Sequence, residues 1–188
     1  MPPGPSESEL PHNRRLTEFD SPISVFHSAA ATFYAPSDMS GHYSMHHEWI
    51  HSTPSWRGQG GRQDCVFIVV DQDQHGMREM IIGCVRLFFS FVYDNKVYPC
   101  ALIDRFIWIG NTPDAVMGLW KVRPHVDRHG RQLQSVEHLD VIYRTAHLIP
   151  VYSDGKLPPD FHFSYSLDVF NSYYVNKYAD HHANEIAF

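Results

Sequence analysis

The stretch Ile81-Ile82-Gly83-Cys84-Val85-Arg86-Leu87-Phe88-Phe89-Ser90-Phe91-Val92-Tyr93, followed by Asp94-Asn95-Lys96 and then by Val97-Tyr98-Pro99-Cys100-Ala101-Leu102-Ile103-Asp104-Arg105-Phe106-Ile107-Trp108, decides the fold. Phe, Val, Ile and Tyr dominate both arms, and these residues suit a pleated, half-buried surface. Asp94-Asn95-Lys96 supplies the turn, because Asn accepts the left-handed backbone that a short hairpin loop needs. The run Ile81 to Tyr93 contains Arg86 and falls well short of the ~20 apolar residues of a bilayer-spanning helix. It reads as a strand, and no membrane partner is expected. Pro99 cannot donate to a ladder, so it belongs near an edge or a bulge.

Working outward, Cys65 to Val70 is a further strand, and Gly118 to Arg123 can pair with Gln134 to Asp140 as a second hairpin around the loop Pro124 to Leu133. Val141 to Ala146 reads as one helical turn before a strand at His147 to Tyr152. Five or six strongly bent strands in hairpin order point to a small barrel. His42 to His51 reads as a short helix stopped by Pro54. Leu167, Phe170, Tyr174 and Tyr178 recur at helical spacing behind Ser166, which predicts a terminal amphipathic helix packed on the barrel. The fold class is therefore mainly β (α+β): a small, strongly bent antiparallel β-barrel with an N-terminal helical segment and a C-terminal helix. Residues 1–20 form a disordered polar tail and residues 21–188 a single β-rich domain, divided into an extension (21–62), the barrel (63–152) and a C-terminal helical segment (160–188).

Composition agrees. Of 188 residues 43% are hydrophobic and 14% aromatic, with twelve Phe and ten Tyr, which disfavours a helical bundle built on Leu and Ala. The net charge of −6 removes global basicity as an argument for nucleic acid, and fourteen His add positive charge mainly below pH ~6.5. Met1 to Asp20 is rich in Pro, Ser and charge and lacks the apolar stretch of a signal peptide, so the chain is expected inside the cell. Cys65, Cys84 and Cys100 are odd in number and set in apolar runs, as reduced core cysteines would be.

Several stretches resemble one family when taken together: Phe33-Tyr34-Ala35-Pro36-Ser37-Asp38, Ser52-Thr53-Pro54-Ser55-Trp56-Arg57-Gly58, Leu87-Phe88-Phe89-Ser90-Phe91 and Tyr98-Pro99-Cys100-Ala101-Leu102. To these add His138-Leu139-Asp140, Ala146-His147-Leu148-Ile149-Pro150-Val151, Ser166-Leu167-Asp168-Val169-Phe170, and Tyr174 through His182. From about Phe19 to Phe188 the chain resembles the C-terminal region of Plavaka-type transposase-like proteins, a transposon-derived group of mushroom-forming fungi. The resemblance implies an accessory region without the metal-dependent, RNase H-like core, whose three acidic residues lie upstream. No catalytic residue is carried over, and a transposon relic without a selected function is one implied outcome.

His47-Glu48-Trp49-Ile50-His51 matches HExxH, in which two His on one helix face hold zinc and the Glu acts as general base. Three features weigh against it: Pro54 cuts the helix, no third ligand follows at a recognisable spacing, and fourteen His make a chance match easy. The resemblance does not include the motif. A structural zinc site linking His46, His47 or His51 to His181 or His182 is chemically possible. Asp71 and Asp73 follow a strand, where a metal-binding carboxylate could stand, but Asp104 and Asp140 are no evident partners, and strand-end Asp residues usually open turns. No GxSxG element, CxxC pair or phosphate-cradling loop occurs.

Lys121, Arg123, Arg128 and Arg131 against Asp127 give a local +3 in an acidic chain, the one electrostatic contact for phosphate in the sequence. The sequence thus predicts a non-catalytic accessory or binding module with no cofactor, intracellular and nuclear. Its partner would be DNA or a chromatin-associated protein, met through this loop. The alternatives are a zinc-dependent hydrolase using His47, Glu48 and His51, and a self-association domain using an exposed edge of the Ile81 to Trp108 hairpin. The oligomeric state is left open.

Overall fold

Asp94 and Asn95 both take positive φ, 49° and 58°, the backbone of a two-residue type I′ loop, which Asn and Asp tolerate through their short polar side chains. The arms that this turn joins are strands of 14 and 13 residues. The computed structural model describes residues 22–36, 42–58, 60–71, 76–152, 157, 159–162 and 165–186. The expected polar tail at residues 1–20 lies outside the described residues, as does Asp73.

In chain order the strands are β1 (Ser24–Phe26), β2 (Ser28–Tyr34), β3 (Met45–Thr53), β4 (Arg62–Gln63), β5 (Cys65–Val69), β6 (Met80–Tyr93) and β7 (Lys96–Trp108). There follow β8 (Lys121–Pro124), β9 (Gln134–His138), β10 (Ile142–Ala146), β11 (Leu148–Pro150), the helical turn α1 (Ser166–Val169), β12 (Tyr173–Val175) and α2 (His181–Ile186). One sheet runs β10-β5-β6-β7-β8-β12-β11, with β1 added on β6 and β9 on β7. Its two end strands, β10 and β11, are separated in the chain only by His147, so the sheet comes back on itself as a nearly closed antiparallel barrel. β6 carries a bulge, where Arg86 is the extra residue between Val85 and Leu87, and the register also shifts in β10 between Ile142 and Arg144.

Both faces of the β5–β6–β7 wall are covered. Cys65, Phe67, Met80, Ile82, Phe106, Val122, Tyr173 and Val175 fill the barrel interior. The alternate residues Val66, Ile68, Val85, Phe88, Ala101 and Ile103 meet Ala31 and Ile50 of a second sheet, β2-β3-β4, laid on the outside. Gly83 stands where these layers come closest: a Cβ there would lie 2.1 Å from Ile103 Cγ2 and 3.0 Å from Ile68 Cδ1. Gly83→Ala should therefore lower stability by about 1–3 kcal/mol through overpacking. Denaturant unfolding checks this, and an unchanged midpoint would contradict the close approach.

Four expectations are corrected. His42 to His51 is not a helix: Met45–Thr53 is a strand, with Glu48, Ile50 and Ser52 more buried than their neighbours, because pairing with β2 rewards period two. Gly118 to Arg123 and Gln134 to Asp140 do not pair with each other; β8 and β9 both pair with β7. Val141 to Ala146 is not a helical turn but mostly strand β10, with one 3₁₀ turn just before it at Leu139–Val141. The stripe Leu167, Phe170, Tyr174 and Tyr178 forms no continuous helix. After the single turn α1 the chain enters β12, where Tyr173 and Val175 fill the slot between β8 and β11; the terminal helix is α2, further on.

The hairpin edges proposed for self-association carry β5 and β1 on one side and β8 and β9 on the other. Pro99 falls in the stretch of β7 that has a partner strand on one side only. No helix among the described residues is long and apolar enough to cross a membrane.

Candidate functional site

Phe106 pairs with Pro124 and Asp104 with Gln134, so β8 and β9 are two parts of one partner strand running along β7. Opposite them β7 spends one residue, Arg105, where the other side spends nine, residues 125–133. Arg105 bonds both ends of the excursion: His125 N–H donates to its carbonyl at 2.9 Å, and its own N–H donates to the Leu133 carbonyl at 2.9 Å. The eight extra residues leave the barrel wall as a narrow finger, closed at its neck by a Val126–Gln132 bridge and by Leu133 N–H to His125 carbonyl at 2.7 Å.

Asp127 shapes the tip. Its carboxylate accepts from the N–H groups of His129 and Arg131 and from Arg131 Nε, at 2.8–3.1 Å, and Gly130 closes the turn with φ 78°. Those bonds, first of all the one from Arg131 N–H, hold the Asp127 carboxyl below its ordinary pKa. Arg123, Arg128 and Arg131 are exposed, and Arg128 Nε donates to His129 at 3.1 Å. Lys121 stands apart from them: it salt-bridges Asp114 at 3.4 Å and lies 4.9 Å from the centre of the Tyr174 ring. Of the four predicted cations three remain presented; against Asp127 they leave +2. Beside the finger, a cavity of about 490 Å³ separates Arg123, Val126 and Gly130 from Leu167, Phe170 and Asn171.

The HExxH residues are not gathered. Successive strand residues face opposite ways and residues four apart stand about 13 Å from one another, so His47 and His51 share a face but cannot share one ion, and Glu48 faces away from both. Each is engaged elsewhere. His47 bonds Thr32 at 2.9 Å, His51 bonds Asp64 at 3.2 Å, and Glu48 accepts from the backbone N–H of Thr145 and, at 2.9 Å, from its hydroxyl. Asp71 follows β5, its N–H on the Glu79 carbonyl at 3.2 Å; Asp104 is buried against Arg86 and Gln134, and Asp140 sits beside His138 at 3.2 Å. Among the described residues no three His, Cys, Asp or Glu side chains converge as a metal cluster.

The structure instead assembles a buried polar group that the sequence did not announce. Arg144, 5% exposed on β10, donates to both Asp180 oxygens at 3.0 and 2.5 Å, reaches Glu48 at 3.5 Å and lies 4.6 Å from the centre of the Phe33 ring. Its Nη1 also meets His182 Nδ1 at 3.1 Å, and His182 stacks on Phe33 at 4.9 Å. Because Arg144 can only donate, Nδ1 of His182 must accept, which requires neutral imidazole. Burial and the Arg144 charge accordingly lower the His182 pKa, against weaker opposite pulls from Glu185 and Asp180 and with a small push from His46.

The unfolded chain then binds more protons than the folded one as pH falls below about 6.5, so stability is lost in that direction. Asp180 acts in the same sense further down. Burial opposes ionisation, but the Arg144 bond and the Ala183 N–H keep its pKa below the ordinary value. We expect the melting temperature to fall on acidification from about pH 7 to about pH 5, and His182→Gln to flatten that dependence. A wild-type profile that is flat across the window would contradict the assignment.

Comparison with protein-family models, with curated proteins and with solved structures finds no match.

Proposed function

We propose that this chain is a non-catalytic binding module that meets a nucleic-acid backbone through the finger, in keeping with its resemblance to the C-terminal region of transposase-like proteins. The observation that carries the reading is the finger itself: an eight-residue excursion that adds nothing to the barrel core and presents Arg128 and Arg131, with Arg123 exposed on β8 at its base, on an otherwise acidic chain. Guanidinium groups recognise phosphate with paired N–H donors and stay charged at every relevant pH. Contacts of this kind position a duplex without reading its bases. A nuclear setting and a chromatin-associated protein as second partner belong to the same reading.

Fluorescence anisotropy of labelled duplex and single-stranded DNA, titrated with the protein at two salt concentrations, tests it. Wild-type binding should weaken with salt, and Arg128→Ala/Arg131→Ala should reduce the logarithmic salt slope on duplex by about 1.8, at roughly 0.9 for each phosphate no longer neutralised. Absence of binding at low salt would remove nucleic acid and leave a protein partner as the reading.

A further inference from the structure

Cys65 and Cys84 face each other directly across the β5–β6 ladder. The N–H of Val85 donates to the Asp64 carbonyl at 3.0 Å, which brackets the two cysteines as a non-hydrogen-bonded pair, the kind whose side chains stand closest. In such pairs the Cα atoms are about 4.5 Å apart, inside the ~4.4–6.8 Å range found across disulfides. Both cysteines are buried, and both are reduced. Cys84 Sγ donates weakly to the Gln63 carbonyl at 3.9 Å, and Cys65 stands directly opposite it in the ladder.

Of the pair Cys65 borders an opening, and Cys84 does not line it. A cavity of about 290 Å³ between β4, the β10–β11 bend and α1 has Cys65 in its wall, together with Gln63, Ala146, Leu148, Ser166 and Leu167. We infer that Cys65 and Cys84 are a redox-convertible dithiol, which closes into a cross-strand disulfide when a low-molecular-weight disulfide enters this cavity. Cys65 attacks one sulfur of the incoming disulfide; the new S–S bond forms on Cys65, and the first thiol leaves with the Cys65 proton. Cys84 then attacks the Cys65 sulfur and displaces the second thiol, which carries off the Cys84 proton. Two protein sulfurs are oxidised and the two sulfurs of the small molecule are reduced.

The bond to Cys84, with burial behind it, raises the Cys65 pKa well above the usual thiol value. Because the thiolate is the attacking species, closure should be slow at neutral pH and faster under alkaline conditions.

The test uses the folded full chain with Cys100→Ser, incubated in glutathione and glutathione disulfide mixtures under alkaline conditions, then acid-quenched and weighed. The expected product has lost two hydrogens, and peptide mapping joins Cys65 to Cys84. Adding Cys84→Ser, or Cys84→Ala if that variant does not fold, should instead trap glutathione on Cys65. Two free thiols in folded protein at every ratio, or a stable glutathione adduct while Cys84 is present, would overturn the inference.

Discussion

Arg144→Ala should cost about 3 kcal/mol of stability at neutral pH. Removing one partner of a buried ion pair typically costs ~3–5 kcal/mol, because the remaining charge stays desolvated. Asp180 keeps 38% of its side chain exposed, which places the expectation at the lower end. Three groups lose the guanidinium together: the Nδ1 of His182, Asp180, which keeps the Ala183 N–H, and Glu48, which keeps Thr145. The ring of Phe33 also loses the guanidinium beside it. Arg144→Lys should recover only part of the loss, since an ammonium cannot donate to both Asp180 oxygens in the forked geometry. In a double-mutant cycle, Arg144→Ala/Asp180→Ala should be less destabilised than the two single effects added together. Strict additivity in urea unfolding would mean that the pair contributes nothing.

That cluster also marks where sequence reading stopped. Arg144 meets residues 36 and 38 positions away, and Glu48 reaches Thr145 across 97 positions; no periodicity carries contacts of that range. The β6–β7 hairpin was legible because its signal is local, with β-forming arms around a turn that wants positive φ. The barrel followed from it. His42 to His51 misled because Tyr43, Trp49 and Ile50 ahead of Pro54 suggest a short helix, whereas the alternation of Glu48, Ile50 and Ser52 against His47, Trp49 and His51 is the stronger pattern. At Tyr173–Val175 the helical spacing was real in the sequence, and the vacancy between β8 and β11 overrode it. The basic loop was located correctly but misplaced in topology, since neighbouring strands were assumed to pair with each other and not with a third.

That topology sets up the sharpest separation of fold from function. Joining His125 directly to Gln134, with residues 126–133 removed, should leave a folded barrel in which β8 and β9 become one continuous strand. The register demands it: with Pro124 opposite Phe106 and Gln134 opposite Asp104, a directly joined His125 falls opposite Arg105. His125 already donates to the Arg105 carbonyl, and its own carbonyl would replace that of Leu133 as acceptor for the Arg105 N–H. None of the excised residues is buried, and a shorter connection lowers the entropy cost of closure. Circular dichroism and melting should therefore resemble those of the parent chain. Duplex binding should not survive at full strength: removing Arg128 and Arg131 at ~0.9 logarithmic units for each phosphate they neutralise predicts affinity lower by roughly 60-fold near 0.1 M salt. An unfolded product would refute the shared register of β8 and β9. A folded product that binds DNA as tightly as the parent would refute the finger as the contact and move the search to the remaining surface of the barrel.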